Sequence, residues 1–369
     1  MKLDTFLMER YQSVYENTVD CNLTESGVQS LMIKELVDPA TIADFHLGYG
    51  HTGGSPGLRA AVAALYPGAG PENVLITNGT AEANYLVAWA FGGPGVETAM
   101  QVPNYLQMAG ALESFGATVR PLPLVPDAGR WALDLDQLAA NVTGRTRLIA
   151  ICNPNNPTGG ILSPAEIDAV CQAQDRSGAW IIADEVYRGA ERNGVVGPTF
   201  WGRGDRIIAT GGLSKSYGLP GLRLGWLVAP ADLAADFWRF KDYTTIGASP
   251  LSDHLAQVAL APGSRERILA RTLRILNQQY PIVDEWLKRR PDVFEWIAPE
   301  AGGFVYVKFD LPIGSTELAE RLRLEKGTLV VPGDHFGMGR YLRLGFGHDL
   351  LVLREGLRRV GELIEEIRR

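Results

Sequence analysis

Apolar residues along this chain switch repeatedly between two spacings. Compact apolar or β-branched runs at Asn73–Ile76, Glu97–Val102, Ala117–Leu122, Arg147–Cys152, Trp180–Ala183 and Arg206–Thr210 read as strands. Between the third and fourth lies an excursion, PDAGRWALDLDQLAANV, read as loop. Elsewhere the spacing lengthens to that of helices. Leu58, Val62 and Leu65 fall on one face directly after Ser55-Pro56, an N-cap followed by a first-turn proline. Ser163-Pro164-Ala165-Glu166 is a capping box that opens another helix. Strands alternating with crossover helices predict an α/β fold around a mainly parallel sheet, where ligands gather at the carboxyl ends of strands.

After Leu227 helical spacing dominates, over Ala231–Asp242, Leu251–Leu260 and a long connecting helix from Gly263 towards Arg289. Short strands at Phe294–Ile297, Phe304–Val307 and Thr328–Val331, then the run YLRLGFG, predict a smaller domain. It ends in a packing helix over Leu350–Arg369 with Leu353, Leu357, Val360 and Ile364 on one face. Leu3–Tyr15 has the spacing of a short amphipathic helix, with Phe6, Leu7 and Tyr11 together. The expected organisation is an N-terminal arm over 1–45 that covers the site with the small domain, a large domain over 46–260 and a small C-terminal domain over 261–369.

A chain of 369 residues exceeds the usual span of one core, which agrees with that division. The net charge of −7, with both signs mixed, offers no nucleic-acid surface. Charges at Lys2, Asp4, Glu9 and Arg10 break any signal-peptide core, and no apolar run reaches a membrane span. Cys21, Cys152 and Cys171 are widely separated, so neither a disulfide framework nor a metal site is expected. A cytoplasmic protein is the expectation.

The chemistry sits in loops that follow strands. Gly211–Trp226, GGLSKSYGLPGLRLGW, flanks Lys215 with Gly211, Gly212, Leu213, Tyr217 and Leu219. Partial desolvation there is expected to lower the lysine pKa and free its lone pair for carbonyl chemistry. Arg223, a permanent guanidinium, suits a phosphate. An imine-forming lysine beside a phosphate clamp suggests pyridoxal phosphate held as a Schiff base. Asp184 follows a fully apolar strand and is costly to bury unpaired; a protonated pyridine nitrogen is its natural partner. Gly79, Thr80 and Ala81 open a helix whose free amides and positive dipole end suit an anion. Arg343, inside a strand pattern, should likewise meet an anion.

Three stretches carry a resemblance: NPNNPTG at 153–159, DEVY at 184–187, and Ser214-Lys215 through Arg223. With Tyr49, Gly54, Leu58 and Arg59 in the spacing Y-x4-G-x3-LR, they resemble the class I/II aminotransferases of PLP fold type I over roughly residues 20–365. That resemblance implies a large domain with a mainly parallel seven-stranded sheet between helices, a smaller α/β domain and a homodimer with shared sites. It makes Lys215 the Schiff-base lysine and general base, pairs Asp184 with the ring nitrogen, and sets Asn156 and Tyr187 on the cofactor's phenolic oxygen. The phosphate falls to Gly79, Thr80, Ala81, Ser214 and Arg223, joined by Tyr49 from the neighbouring subunit. Tyr105 stacks on the ring. Arg343 and Asn156 take the substrate α-carboxylate, and Gly27 and Val28 close over the substrate. One departure is Gly212, two positions before Ser214, where the family commonly has a hydroxyl residue.

The implied reaction is transamination, moving the α-amino group of an amino acid to a 2-oxo acid. The same fold also supports carbon–sulfur β-lyases and enzymes that oxidise or cyclise arginine derivatives. The Ser26-Gly27-Val28 arm with Glu16, Asp20 and Glu25 loosely resembles the latter. Acidic residues at a substrate door favour a cationic side chain; a solvated arm is the competing reading. A non-catalytic regulator that binds ligand and DNA is a third class. It would need a fused DNA-binding domain, and no helix-turn-helix pattern precedes residue 20.

Overall fold

The computed structural model describes residues 3–369. Its centre is an eight-stranded sheet in the order Val74–Thr77, Gly225–Val228, Ile207–Gly212, Trp180–Asp184, Thr146–Cys152, Glu97–Val102, Thr118–Asp127 and Arg130–Leu133. Ile207–Gly212 through Thr118–Asp127 run parallel, and Gly225–Val228 is antiparallel to both neighbours. The sheet has one strand more than the resemblance implies. Arg130–Leu133, expected as loop, returns antiparallel on Thr118–Asp127 through a turn in which Ala128 and Gly129 have φ of 46° and 81°. A two-residue turn of positive φ matches the twist of paired strands, so the Asp-Ala-Gly run closes a hairpin.

Side chains alternate across this sheet. Ile181 and Ala183 join one core with Ile149, Ile151 and Val170, whereas Ile182 joins another with Met100, Leu148, Leu86 and Phe237. Ser55 caps the helix Pro56–Ala63 by accepting from the Leu58 amide, and Ser163 and Glu166 form the expected capping box of the helix Pro164–Ser177.

A second, antiparallel sheet has the order Phe294–Trp296, Phe304–Phe309, Tyr341–Gly345 and Val331–Pro332. The helix Leu350–Ile367 covers it with Leu353, Leu357, Val360 and Ile364 buried. The helix Pro262–Lys288 joins the two regions: Ile268 packs with Leu58 and Leu255, and Leu276, Val283 and Leu287 pack under the small sheet.

The expected strand Thr328–Val331 is divided. Thr328–Leu329 pairs in parallel with Cys21–Asn22 of the arm, and Val331–Pro332 pairs with Tyr341–Gly345. The arm therefore enters the small-domain core, with Leu23 and Val28 buried there. It runs through a slot between glycines. A Cβ at Gly345 would lie 2.3 Å from the Glu25 carbonyl oxygen, and one at Gly347 would lie 2.1 Å from that of Gly27. Only the absence of side chains lets the two backbones approach so closely.

Candidate active site

Asp184 ends the strand Trp180–Asp184, facing a cavity of about 490 Å³. Its carboxylate accepts from Asn84 Nδ2 at 2.8 Å and from the Val186 amide at 3.1 Å, and Asn84 in turn accepts from Thr210 Oγ1 at 3.1 Å. Burial pushes the Asp184 carboxyl above its ordinary range against those hydrogen bonds, so the group calls for a cationic partner. Asn84 had no sequence motif of its own. It stands four residues after Thr80 on the helix Thr80–Phe91, hence on the same helical face, and that spacing could have revealed it.

Lys215 follows the strand Ile207–Gly212 and lines the same cavity. Its Nζ lies 2.9 Å from Glu25 Oε1, from the arm. The expected fall in its pKa does not occur in this state. Desolvation pulls it down, but the Glu25 carboxylate, its hydrogen bond and Tyr187 outweigh that and hold the ammonium above the ordinary value. The Lys215 charge correspondingly holds the Glu25 carboxyl well below the usual range, against its own burial. Glu25 also accepts from the amides of Ser26 and Gly27.

Gly79 precedes the first turn of Thr80–Phe91 with φ of 77°, and a Cβ there would lie 2.9 Å from Arg223 Nη2. Arg223 thus meets the positive end of that helix with its own backbone in the left-handed region, φ 48°. Among the described residues no carboxylate pairs with it. Thr80, Ala81, Ser214 and Arg223 all line the cavity. Gly212 has a local cause: a Cβ there would lie 2.7 Å from Thr80 Oγ1, which donates to the Gly211 carbonyl at 3.0 Å. The Thr80 hydroxyl occupies the space that a side chain at 212 would need.

Arg343 stands on the opposite wall, 1% exposed. Nη1 donates to Asn156 Oδ1 at 2.7 Å and Nη2 to the Thr24 carbonyl at 2.5 Å, between the rings of Phe304 and Phe336. Its Nε has no hydrogen-bond partner among the described residues. A buried guanidinium without a carboxylate is costly, and an incoming anion would relieve it. The Tyr187 hydroxyl donates to Ser26 Oγ at 2.7 Å, and burial raises its pKa. Tyr105 also lines the cavity, its hydroxyl donating to Glu9 Oε1 at 2.8 Å. Gly27 lies against the Lys215 backbone, while Val28 turns into the small-domain core. Tyr49 stands fully exposed outside the cavity. Glu9, on the helix Leu7–Tyr15, lines the cavity although sequence reading passed it over. Asp20, grouped with Glu16 and Glu25 by sequence, instead pairs with Arg359 at 3.0 Å. A larger cleft of about 710 Å³, between the helices Pro262–Lys288 and Leu350–Ile367, contains none of these residues.

The profile of aminotransferase class I and II matches residues 30–360. The chain belongs to that family. Among curated relatives, capreomycidine synthase from Streptomyces vinaceus is 33% identical over 368 residues, covering 98% of this chain and 92% of the synthase. A PLP-dependent aminotransferase from Streptococcus suis 89-1591 superposes with a TM-score of 0.92 at 31% identity, covering 100% of this chain and 99% of its own. The PLP-dependent cyclase OrfR superposes with a TM-score of 0.90 at 27% identity, over 99% and 98% of the two chains. This member of the family is thus a fold type I enzyme that uses pyridoxal 5'-phosphate. No group of metal-ligating side chains and no helix long and apolar enough to cross a membrane occurs among the described residues.

Proposed function

We propose that this enzyme transfers the α-amino group of an amino acid to a 2-oxo acid, with Lys215 and Asp184 as its central pair. The observation that carries this reading is that both side chains line one cavity whose opposite wall is the buried, carboxylate-free Arg343. Bound pyridoxal phosphate supplies an aldehyde for amines and a ring that stores electrons. The residues fit that group: Asp184 offers a carboxylate to the ring nitrogen, and Tyr187 and Asn156 serve the phenolic oxygen. Tyr105 offers an aromatic face, and Gly79, Thr80, Ala81, Ser214 and Arg223 take the phosphate. Lys215 would hold the aldehyde and, once the substrate amine displaced it, would carry the Cα proton to the carbon that had borne the aldehyde, while Arg343 and Asn156 would hold the substrate carboxylate, with Gly27 behind the lysine.

The same reading makes the protein a cytoplasmic homodimer, with 1–45 as cover, 46–260 as cofactor domain and 261–369 as small domain. Exposed Leu47, Tyr49, Tyr243 and Ile246 lie on adjoining loops, where a Cβ on Gly247 would lie 3.3 Å from Thr52 Cα. Asn78, beside Gly79, donates to the Gly247 carbonyl at 3.4 Å. An apolar rim at the phosphate end supports a second subunit that brings its own Tyr49 there.

PLP-dependent ring closure is a second reading, supported by the likeness to capreomycidine synthase and to the cyclase. Incubation of the loaded enzyme with a panel of amino acids and pyruvate separates the two. Transamination yields alanine and a new oxo acid; ring closure yields a cyclic amino acid with no alanine. Absence of a cofactor absorbance band in protein incubated with pyridoxal phosphate would sink both.

A further inference from the structure

The cavity holds more negative charge than the proposed chemistry uses. Its cations are Lys215, Arg223 and Arg343, and its carboxylates are Asp184, Glu9, Glu16 and Glu25. Each cation has a task at the cofactor or at the substrate α-carboxylate, and Asp184 has one at the ring nitrogen. The three glutamates are left over. All come from the first 25 residues: Glu9 is on the helix Leu7–Tyr15, Glu16 directly follows it, and Glu25 follows the strand Cys21–Asn22. Glu9 accepts from the Tyr105 hydroxyl at 2.8 Å. Glu25 has Lys215 at 2.9 Å, an amine that bound pyridoxal phosphate would engage instead. Glu16 is half-buried and its carboxylate, among the described residues, has neither hydrogen bond nor salt bridge, its amide alone donating to the Gln12 carbonyl.

Three carboxylates that share one cavity repel each other. Burial, then Glu25 and Glu9, raise the Glu16 carboxyl above its ordinary range. A separate observation argues for a ligand in this space: Arg343 lines it, 1% exposed, and its Nε has no hydrogen-bond partner among the described residues. An α-carboxylate held at Arg343 would place the rest of the same molecule in the cavity that the glutamates line.

We propose that the substrate is an α-amino acid whose side chain ends in a cation, guanidinium or ammonium, received chiefly by Glu16 with Glu9 and Glu25 beside it. This rests on the reading of the cavity as the amino-acid site of a PLP enzyme. A carboxylate accepts a guanidinium through two parallel hydrogen bonds and an ammonium through one. A neutral side chain would leave the glutamates repelling one another.

The test compares isosteres that differ in charge. The PLP-loaded enzyme is titrated with L-arginine, L-citrulline, L-lysine, L-norleucine and L-glutamate, with dissociation constants read from the cofactor absorbance and by calorimetry. Arginine should bind about tenfold or more tightly than citrulline, or lysine than norleucine, and the ratio should shrink in about 0.5 M salt. Glu16→Gln should cut that ratio about tenfold while changing the citrulline constant less than about twofold. Equal binding of both members of each pair by the unsubstituted enzyme, or tighter binding of glutamate, overturns the proposal without need of the variant. If no amino acid disturbs the cofactor band of a protein that carries pyridoxal phosphate, the broader amino-acid reading fails instead.

Discussion

The two walls of the cavity are built differently. One is made at the carboxyl ends of the central strands, where Asp184 is held by Asn84 and Asn84 by Thr210, above buried Ile181, Ile182 and Ala183. The other is made by the arm, whose Glu25 reaches Lys215 across 190 positions of sequence and whose Glu16 carboxylate makes no hydrogen bond or salt bridge among the described residues. Atoms of the first wall are set by packing on several sides. Those of the second ride on the arm: Glu25 on backbone seated against Gly345 and Gly347, and Glu9 and Glu16 at a helix held by buried Met8 and by the Tyr11 hydroxyl donating to the Ala319 carbonyl. Under the proposed function the contrast separates two tasks. Chemistry needs groups fixed to a fraction of an ångström, which a sheet supplies, and selectivity needs only a charged surface of the right sign.

Substitutions in the sheet-built wall should have the largest effects on rate. Lys215→Ala should lower turnover by about 10³-fold or more, measured in single-turnover mixing, with thermal stability of the loaded protein unchanged or reduced. Asp184→Asn removes the charge and keeps the shape; a loss of roughly 10²–10³-fold in kcat is expected, with pyridoxal phosphate still retained. Across the cavity, on the small-domain strand Tyr341–Gly345, Arg343→Gln should raise KM on the order of 100-fold and change kcat less if that guanidinium holds the substrate carboxylate as proposed.

The arm should respond otherwise. In Gly347→Ala the new methyl would fall 2.1 Å from the Gly27 carbonyl, so the arm must move. A cost of about 1–3 kcal/mol in urea denaturation is expected, with cofactor affinity changed less than about threefold. A fall in cofactor affinity as large as that of Asp184→Asn would erase the distinction between the walls.

The smallest effect concerns the Glu25–Lys215 pair in cofactor-free protein. Lys215 holds the Glu25 carboxyl below its ordinary range, so that part of the stability is present above about pH 4.3 and lost as acid protonates the folded form. The Lys215 ammonium is held above its ordinary value, so its part is present below about pH 10.4 and lost as pH rises past the folded value. Both ends reach solvent, at 26% and 37% exposure, so the pair contributes less than about 1 kcal/mol. The Tm difference between unsubstituted protein and Glu25→Gln should be small and flat between those limits and decline progressively beyond them.

Local chemistry was legible in the sequence. Apolar runs of strand length, proline-rich turns and capping pairs each act within a few residues, so they marked the strand ends where Asp184, Asn156, Lys215 and Arg223 stand. The proximity of these groups to a common cavity followed from the rule that parallel sheets gather ligands at one edge. Other facts were decided by tertiary contact. The Thr80 hydroxyl fills the space beside Gly212, Asn84 orients Asp184, and the arm brings Glu9, Glu16 and Glu25 to the cavity while Asp20 turns to Arg359. The direction of the Lys215 shift belongs with these. Desolvation could be inferred from its apolar neighbours in the chain, but the opposing carboxylate arrives from a distant segment. Charge and space are set by what lies within a few ångströms, and folding brings those neighbours from distances along the chain that periodicity and turn chemistry do not reach.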